Sequence, residues 1–259
     1  MPDHDPRNVL VTGGAAGIGL AIAQRFARKG ASVGLLDRSR AQLDAALAAF
    51  PADARVDALH ADIGRRDEVE DAIATFTGRR GSLDVAVSNA GVAPNHLFLE
   101  MDDDQWQSVI GTNLTGAFVF MQTAARVLVG QGRGGKICAI SSGARQSART
   151  GAAAYCASKA GLVMLAKVMA LELGPHGINV NVVSPGFIDH GTRPGLGAFT
   201  NDEYVAAMKT LVPLPRMGVA DDIAAGVEYL CSPDADWVTG TVLDVDGGSS
   251  TGRAALPRN

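Results

Sequence analysis

Seven short apolar runs, rich in β-branched residues and separated by longer Ala- and Leu-rich stretches, limit what this chain can fold into. The apolar runs predict strands at 8–12, 32–37, 56–62, 83–89, 135–141, 178–184 and 242–246. The stretches between them predict helices near 17–29, 39–49, 65–79, 103–130, 152–174, 201–210 and 219–231. Apolar strands that alternate with helices are typical of a parallel sheet covered on both faces. With right-handed crossovers, the sequence predicts an α/β fold: a doubly wound Rossmann fold with a seven-stranded parallel sheet flanked by helices.

The chain is predicted to form one domain. It has 259 residues, and an α/β domain of that size can bury a large core. No linker, low-complexity tract or repeat interrupts the pattern, so we expect a single domain over 1–259. The segment 187–217, with several Gly and Pro residues, departs from the strand and helix pattern. Excursions of this kind at strand carboxyl ends usually cover ligand sites, and we expect the same here.

The first predicted strand runs directly into a glycine-rich turn, TGGAAGIG, at 12–19. Gly13, Gly17 and Gly19 stand where the strand gives way to a helix, and they permit a tight turn and close approach of the backbone to a pyrophosphate. The N–H groups at the start of the helix would face that group. The alternative is a glycine-rich turn without a ligand, but its position between the first strand and a helix favours dinucleotide binding.

An acidic residue, Asp37, ends the second predicted strand, eighteen residues after the last glycine of that turn. Its carboxylate could accept hydrogen bonds from both hydroxyls of an adenosine ribose and would repel a 2′-phosphate, so it favours NAD over NADP. The neighbouring Arg38 could weaken that preference, and Asp37 could instead cap the helix that follows. Asp62 and Ile63 end the third strand where adenine would lie, although Asp62 could be a simple turn residue.

Tyr155 and Lys159 stand four residues apart in the stretch AAYCASKAG, residues 153–161. Side chains at this spacing lie on one face of a helix, so a phenol and a cation would be neighbours. On its own the pair is weak evidence, because it could be an ordinary helical pair with a solvated lysine. The small and apolar flanking residues argue against a solvated charge and predict a buried or interfacial helix.

Seven short motifs occur in one order along the chain: TGGAAGIG at 12–19, SNAG at 88–91, GTNLTG at 111–116, ISSG at 140–143, YCASK at 155–159, SPG at 184–186 and VDGG at 245–248. Together they resemble the short-chain dehydrogenase/reductase family over nearly the whole chain. Ser88 departs from the family's pattern, which has Asn at that position. The resemblance implies the Rossmann fold predicted above and hydride transfer between an alcohol and a nicotinamide.

The resemblance assigns catalytic roles to Asn113, Ser142, Tyr155 and Lys159. Tyr155 would be the general acid/base, and a phenol with a pKa near 10 needs help to act at neutral pH. Lys159, together with the positive charge of oxidised nicotinamide, would favour the phenolate and would also bind the nicotinamide ribose. Ser142 would orient the reacting oxygen, and Asn113 would hold a water that links Lys159 to solvent. Asn113 could instead serve polar packing or a helix kink, and Ser142 could be a turn hydroxyl.

The predicted cofactor contacts follow the same motifs. They are Gly13, Gly17, Ile18, Gly19, Asp37, Asp62, Ile63, Asn89, Ala90, Gly91, Tyr155, Lys159, Pro185, Gly186, Ile188 and Thr192. The family usually has a Thr four residues after the Gly of its SPG motif, where this chain has His190. Either Thr192 takes over the bond to the nicotinamide carboxamide, or backbone groups near Ile188 suffice. His190 could face substrate, but an exposed loop histidine is the simpler interpretation.

Two further clusters of charge flank the predicted site. Arg145 and Arg149 follow Ser142 in a loop expected to border the substrate pocket, where they could bind a carboxylate or phosphate or be ordinary surface residues. The acidic run EMDDDQW, at 100–106, is predicted to cap and begin the long helix, because negative charge is favourable there. We expect no metal site in that run, since no other ligands accompany it.

Charge and composition narrow the function classes. The net charge is −4 and no basic stripe is visible, so we expect no nucleic-acid partner. The 3 cysteines form no CxxC motif, which favours reduced thiols over a disulfide framework or a zinc site. No signal core and no apolar run of transmembrane length stand out, so we expect a cytoplasmic protein that does not enter a membrane. The family resemblance implies a homotetramer with a small-molecule substrate.

These observations predict an NAD(H)-dependent oxidoreductase that acts on a secondary alcohol or ketone, for instance a sugar, polyol or cyclic alcohol. NADP is less expected because of Asp37. One alternative is an NADPH-dependent 3-oxoacyl-[acyl-carrier-protein] reductase, for which a neutral or basic residue at position 37 would be more typical. Another is a dinucleotide-binding regulator without catalysis, against which the joint presence of the four catalytic residue types argues.

Overall fold

One parallel sheet organises the protein. In the computed structural model, which describes residues 7–189 and 202–252, seven strands lie in the order β3-β2-β1-β4-β5-β6-β7. Their bounds are β1 Asn8–Thr12, β2 Ser32–Asp37, β3 Val56–His60, β4 Val85–Ser88, β5 Gly135–Ile140, β6 Ile178–Pro185 and β7 Val242–Val245. Each adjacent pair runs parallel. The predicted fold class, a seven-stranded parallel Rossmann sheet, is therefore confirmed.

Helices cover both faces of this sheet. Within the described residues they are α1 Gly17–Arg28, α2 Arg40–Leu47, α3 Arg66–Arg80, α4 Asp103–Ile110, α5 Ala117–Gln131, α6 Ala153–Leu173, α7 Asp202–Lys209 and α8 Ala220–Cys231. Successive strand residues point to opposite faces. Leu10 accordingly belongs to the core under α3, α5 and α6, whereas Val9 and Val11 belong to the core under α1, α2 and α8.

The strand order reverses at β1. The chain adds β2 and β3 on one side of β1, and β4 then pairs with the other side of β1. In open parallel sheets, ligands bind in the crevice outside the carboxyl ends of the strands at such a reversal. The loops that leave β1 after Thr12 and β4 after Ser88 border that crevice.

The predicted helix at 103–130 is interrupted. Between α4 and α5, residues Gly111–Gly116 form a π-helical segment that contains Asn113. Such wide turns are rare and are frequent at functional sites. Here the Asn113 side chain bonds the backbone of Val92, so a tertiary contact that the sequence pattern does not reveal accompanies the wider turn.

The amino end of that helix is as predicted. Asp102 is the N-cap of α4, and with Gln105 it forms a reciprocal capping box. Asp103 and Asp104 occupy the first turn, where negative charge is favourable. The acidic run at 100–106 therefore begins a helix.

Two strands differ from the prediction by two residues at one end, β3 at its carboxyl end and β4 at its amino end. β3 stops at His60 because the chain turns at once: Asp62 Oδ1 accepts a 2.8 Å hydrogen bond from the Gly64 N–H. β4 begins only at Val85, because the backbone of Leu83 bonds the side-chain amide of Gln131 on α5. The carboxyl end of β3 and the amino end of β4 therefore depend on side-chain hydrogen bonds, which strand propensity cannot predict.

One helix corrects the prediction about transmembrane length. Within the described residues, the helical stretch Ala153–His176 is long and apolar enough to cross a membrane by length and composition, and 44% of its most apolar window is buried inside the protein. Its buried face, which includes Leu162, Ala166 and Ala170, packs in the core beside the sheet. Core packing therefore accounts for the apolar residues on that face of the helix.

Candidate active site

The glycine turn after β1 is shaped by steric limits. Gly13 and Gly17 adopt φ of 60° and 58°, a region that favours glycine. A Cβ on Gly19 would collide with the carbonyl oxygen of Gly13 and would lie 2.6 Å from Asn89 Nδ2. The turn therefore packs directly against the end of β4, and only glycine fits at its tightest point.

The amino terminus of α1 is suited to an anion. Its N-cap is Ala16, no side chain caps it, and its first turn has no acidic residue. The N–H groups at the start of a helix lack partners within the helix, and the helix dipole favours negative charge there. Gly17, Ile18 and Gly19 begin this helix beside the glycine turn. Their backbone suits the pyrophosphate of a dinucleotide, which agrees with the predicted contacts.

Thr12 ties the glycine turn to β4, and sequence reasoning did not single it out. Its Oγ1 accepts hydrogen bonds from Asn89 N at 3.0 Å and from Ala90 N at 3.1 Å. In return, Asn89 Nδ2 donates to the carbonyl oxygens of Thr12 and Gly13 at 3.0 and 3.2 Å. Asn89 and Ala90 thus hold the two loops of the crevice together. Thr12 is the first residue of the motif TGGAAGIG, and that position could have indicated its role.

Asp37 ends β2, on the side of the crevice where the sequence predicts the adenosine ribose. Its Oδ1 accepts a 3.0 Å hydrogen bond from the Ser39 N–H, while the Ser39 side chain caps α2. The alternative in which Asp37 itself caps the helix is therefore wrong. Asp62 is the turn residue described above. Ile63 is 6% exposed and packs in the core, so its side chain is largely occupied there.

Lys159 is a buried cation. It is 5% exposed, and its Nζ donates to the Ile140 carbonyl oxygen at 2.8 Å. Burial lowers the pKa of the Lys159 ammonium to about 8, because the protein solvates the charge less well than water does. Nζ lies 5.9 Å from the centre of the Tyr155 ring. The structure therefore brings the predicted pair together on α6.

Asn113 lies beside this lysine. A Cβ on Gly91 would be 3.2 Å from Asn113 Oδ1, a tight contact, and 3.5 Å from Lys159 Nζ, so both polar groups face this glycine. Oδ1 accepts from Val92 N and Nδ2 donates to Val92 O, each at 2.8 Å, and Nδ2 also donates to Ser158 Oγ at 3.2 Å. This amide is fully buried and engaged, which fits the polar-packing alternative as well as a catalytic role. Ser158 is a further residue that sequence reasoning missed.

The two serines after β5 have different roles. Ser141 is buried, and its Oγ donates to the Lys159 carbonyl oxygen at 3.0 Å. Ser142 Oγ accepts from Ala144 N at 3.2 Å, and the Ser142 side chain is close enough to the Tyr155 phenol to lower its pKa. Motif spacing selects Ser142 rather than Ser141, and Ser142 is the serine that the structure brings to Tyr155.

The protonation of Tyr155 depends on the burial of its ring. Burial raises the pKa of the Tyr155 phenol above its usual value, and the opposing effects of the Ser142 hydrogen bond and the Arg149 charge only partly offset it. Lys159, the cation named from the sequence, is not among the groups that lower this pKa. At neutral pH the phenol is therefore protonated, ready to donate.

The end of β6 closes the crevice. Gly186 N donates to Val245 O at 3.1 Å, and a Cβ on Gly186 would lie 2.6 Å from the Cα of Asp246. Pro185 is the last residue of β6, and Ile188 forms a parallel bridge with Gly218. The proposed carboxamide contact at Thr192, and His190, fall outside the described residues.

Arg145 serves the fold rather than an anionic ligand. Its Nη2 donates to both carboxylate oxygens of Asp244 on β7, at 2.8 and 2.7 Å, and its Nε donates to Ser184 Oγ at 3.3 Å. One guanidinium nitrogen thus serves both carboxylate oxygens of Asp244, and a second bonds Ser184, so the arginine is tied to β6 and β7. The expectation that Arg145 could bind a substrate carboxylate is therefore not supported.

Metal chemistry has no candidate in residues 7–189 and 202–252. No group of three or more His, Cys, Asp or Glu side chains is placed there to hold an ion. The cysteines are free thiols, with Cys138 and Cys231 buried and Cys156 half-buried. The chemistry that the crevice can support is proton transfer at Tyr155 beside a dinucleotide.

The comparisons with known proteins agree with this geometry. A family model described as Enoyl-(Acyl carrier protein) reductase matches residues 13–250. The chain belongs to the short-chain dehydrogenase/reductase family. It is 41% identical over 252 residues to an L-rhamnose 1-dehydrogenase (NAD(P)(+)) of Azotobacter vinelandii, covering 93% of this chain and 96% of that protein. It is 38% identical over 245 residues to the 3-oxoacyl-[acyl-carrier-protein] reductase FabG of Staphylococcus aureus, covering 93% and 97%.

Solved structures of this family have the same fold. A short-chain type dehydrogenase/reductase from Mycobacterium marinum matches with a TM-score of 0.84 and 33% identity, covering 94% of this chain and 95% of that one. A putative gluconate dehydrogenase from Agrobacterium tumefaciens matches with a TM-score of 0.88 and 30% identity, covering 96% and 97%. The family places this chain among oxidoreductases that act on alcohols or ketones.

Proposed function

We propose that this family member is an NAD(H)-dependent oxidoreductase that interconverts a secondary alcohol and a ketone, with Tyr155 as the general acid/base. The observation that carries the proposal is the assembly of one site from separate elements. The Ser142 side chain lowers the pKa of the Tyr155 phenol, and Lys159 Nζ lies 5.9 Å from the centre of the same ring, at the carboxyl ends of the strands. The glycine turn stands at the same ends of the strands, beside β4.

The residues present fit a nicotinamide dinucleotide. The uncapped start of α1 and the glycine turn would hold its pyrophosphate, and Asp37 would hold the adenosine ribose. Lys159, beside Gly91, would reach the other ribose. When bound, the dinucleotide supplies the hydride donor or acceptor that no side chain can provide.

The protein's own contribution is to orient the substrate oxygen and to move one proton. Ser142 Oγ, fixed by the Ala144 N–H, would hold the oxygen next to the phenol. In the reducing direction the protonated Tyr155 donates its proton to that oxygen. In the oxidising direction Tyr155 must first lose this proton, which its raised pKa opposes.

Asp37 supports a preference for NAD. Its carboxylate stands at the end of β2, and a 2′-phosphate placed there would meet a negative charge. Arg38 is exposed beside it and could reduce the penalty. The rhamnose dehydrogenase relative is named for both NAD and NADP, so the preference must be measured on this chain.

The substrate class that we favour is a sugar or related polyol. The 41% identity to a rhamnose 1-dehydrogenase supports it. The 38% identity to a 3-oxoacyl-[acyl-carrier-protein] reductase supports the second candidate, NADPH-dependent reduction of a 3-oxoacyl thioester. Asp37 distinguishes the two, because NADPH use would favour a neutral or basic residue there.

One screen tests these candidates. The absorbance of reduced nicotinamide would be followed with NAD or NADP and with aldoses, polyols, cyclic alcohols and hydroxy acids, and in reverse with 3-oxoacyl thioesters. We expect turnover of an aldose or polyol with higher initial rates for NAD. Higher rates with NADPH and a 3-oxoacyl thioester would favour the reductase. Dinucleotide binding without turnover of any substrate would favour the non-catalytic regulator.

We also propose that the protein acts as a homotetramer. Met164 and Leu171 on α6 are 61% and 79% exposed, and Phe118 on α5 is 37% exposed, so these helices present apolar surface to the outside. Sedimentation equilibrium at micromolar concentration should give about four times the 26.7 kDa chain mass. A 26.7 kDa species would contradict this proposal.

A further inference from the structure

Two cations lie near the ring of Tyr155. Lys159 Nζ is 5.9 Å from the ring centre, and the guanidinium carbon of Arg149 is 6.0 Å from it. The lysine comes from α6 itself, whereas the arginine comes from the loop that precedes α6. Family motifs account for the lysine but not for the arginine.

The two cations differ in how long they stay charged as pH rises. The pKa of Lys159 is lowered to about 8 by burial, so this lysine loses its charge through the weakly alkaline range. Its Nζ is also committed to the Ile140 carbonyl oxygen. A guanidinium keeps its charge at every pH at which a protein stays folded. Arg149 is therefore the more persistent positive charge near Tyr155.

The loop that carries Arg149 is fastened to the loop that follows β4. His96 N donates to the Gly151 carbonyl oxygen at 2.9 Å. The Asn95 amide nitrogen, in its hydrogen-bonded orientation, donates to the carbonyl oxygens of Gly151 and Thr150 at 3.1 and 3.2 Å. Gly151 has φ of 76°, and a Cβ there would collide with the Asn95 side chain. This contact between residues 95–96 and 150–151, which we name the loop clasp, fixes the backbone next to Arg149.

We propose that Arg149 is a positioning residue for the proton of Tyr155: held by the loop clasp over the phenol ring, it stabilises negative charge on the phenol oxygen. The inference rests on the proposed role of Tyr155 and extends it to a residue outside the family motifs. The described groups that act on Tyr155 are Ser142, Arg149, Lys159 and the neighbouring Cys156. Of these, the Arg149 charge opposes the rise in pKa that burial produces.

The test titrates Tyr155 directly. The sequence has 3 tyrosines, so Tyr204→Phe and Tyr229→Phe leave Tyr155 as the single phenol whose ionisation appears in ultraviolet absorbance. In that background, Arg149→Gln should raise the Tyr155 pKa by about one unit, the usual effect of removing a nearby opposite charge. Arg149→Lys should recover most of the shift. An unchanged titration in Arg149→Gln would overturn the proposal.

A matched control removes a similar arginine elsewhere. The guanidinium carbon of Arg66 also lies 6.0 Å from an aromatic ring, that of Phe118. Arg66→Gln should leave the Tyr155 titration unchanged, and a shift equal to that of Arg149→Gln would overturn the proposal by showing a general effect of charge loss. Circular dichroism of each variant identifies loss of fold. If the glutamine variant unfolds, Arg149→Met takes its place and should give the same rise in the Tyr155 pKa, and an unchanged titration in Arg149→Met would then overturn the proposal.

The titration needs no substrate, which separates this proposal from the proposed function. If Arg149→Gln shifts the titration but no alcohol or ketone is turned over, the role of Arg149 stands and the proposed function fails. With an active substrate, the acid limb of the kcat profile for oxidation should move to higher pH by the same amount. A loss of kcat with no movement of that limb would show a merely structural role and would overturn the proposal.

Discussion

Two lysines are buried at opposite ends of the strands of the sheet, and their surroundings differ. Lys136, at the amino end of β5, is 8% exposed, and its Nζ donates to Asn179 Oδ1 at 2.8 Å and to Asp236 Oδ1 at 2.5 Å. Lys159, beside the carboxyl end of β5, is 5% exposed and within the described residues bonds only a backbone carbonyl. A buried charge with a carboxylate partner is typical of a structural site, and a buried charge without a carboxylate partner is typical of a functional site.

The largest contrast should come from replacing each lysine by methionine. Lys159→Met should lower turnover by at least about 100-fold, because the nicotinamide ribose loses its proposed partner and the Tyr155 ring loses the neighbouring ammonium. Its stability should stay within about 1 kcal/mol of the parent, since the change also removes the cost of burying an ammonium. Lys136→Met should keep turnover and lose about 1–3 kcal/mol of stability, because Asn179 and Asp236 lose their partner.

Activity assays and urea unfolding of both variants check this contrast. Equal losses of activity in the two variants would show that Lys159 has no functional role that Lys136 lacks. A large loss of stability in Lys159→Met alone would give Lys159 the structural role instead.

The pH dependence of stability sharpens the same comparison. The pKa of Lys159 is lowered from its model-compound value of 10.5 to about 8 in the folded state. Between those values the unfolded chain binds more protons than the folded chain, so the Lys159 contribution to stability rises with pH from about 8 and is complete only above 10.5. The expected gain is on the order of a few kcal/mol.

Urea unfolding at several alkaline pH values measures this gain. The rise should disappear in Lys159→Met and persist in Lys136→Met. If the difference in unfolding free energy between the parent and Lys159→Met does not change with pH, Lys159 is not desolvated in the folded protein.

A smaller effect is expected from two glycines that differ in their surroundings. Gly19→Ala would force a Cβ against Gly13 and Asn89, and we expect dinucleotide affinity to fall by about tenfold or more, ~1.4 kcal/mol. Gly78→Ala, on α3 with no atom within 4 Å of its added Cβ, should leave affinity unchanged and raise stability by about 0.5–1 kcal/mol. Fluorescence titration with NADH measures the affinity of both variants, and urea unfolding measures the stability of Gly78→Ala. Unchanged affinity in Gly19→Ala would show that the glycine turn is not part of the binding site.

Local features of the site could be predicted from the sequence. The glycine turn follows from steric limits on three residues, and the choice of Ser142 follows from its spacing to Tyr155. The capping box at Asp102 is likewise encoded within one turn of helix. Each of these depends on residues close together in the chain.

Features that depend on distant contacts could not be predicted. The π-helical segment holds Asn113 against Val92 from another loop, and Arg145 pairs with Asp244 across 99 residues. The low pKa of Lys159 depends on burial that no motif records, and the same is true of the high pKa of Tyr155. The sequence placed these groups in a site but could not assign their charge states.

The most direct test of the central claim compares turnover and dinucleotide binding in Tyr155→Phe. This variant removes only the phenol oxygen, keeps the ring beside Lys159, and should abolish measurable turnover because no other described group is placed to exchange the proton. NADH affinity should stay within about twofold of the parent, ~0.4 kcal/mol. Retained turnover in this variant, with NADH bound normally, would contradict the assignment of Tyr155 as the general acid/base.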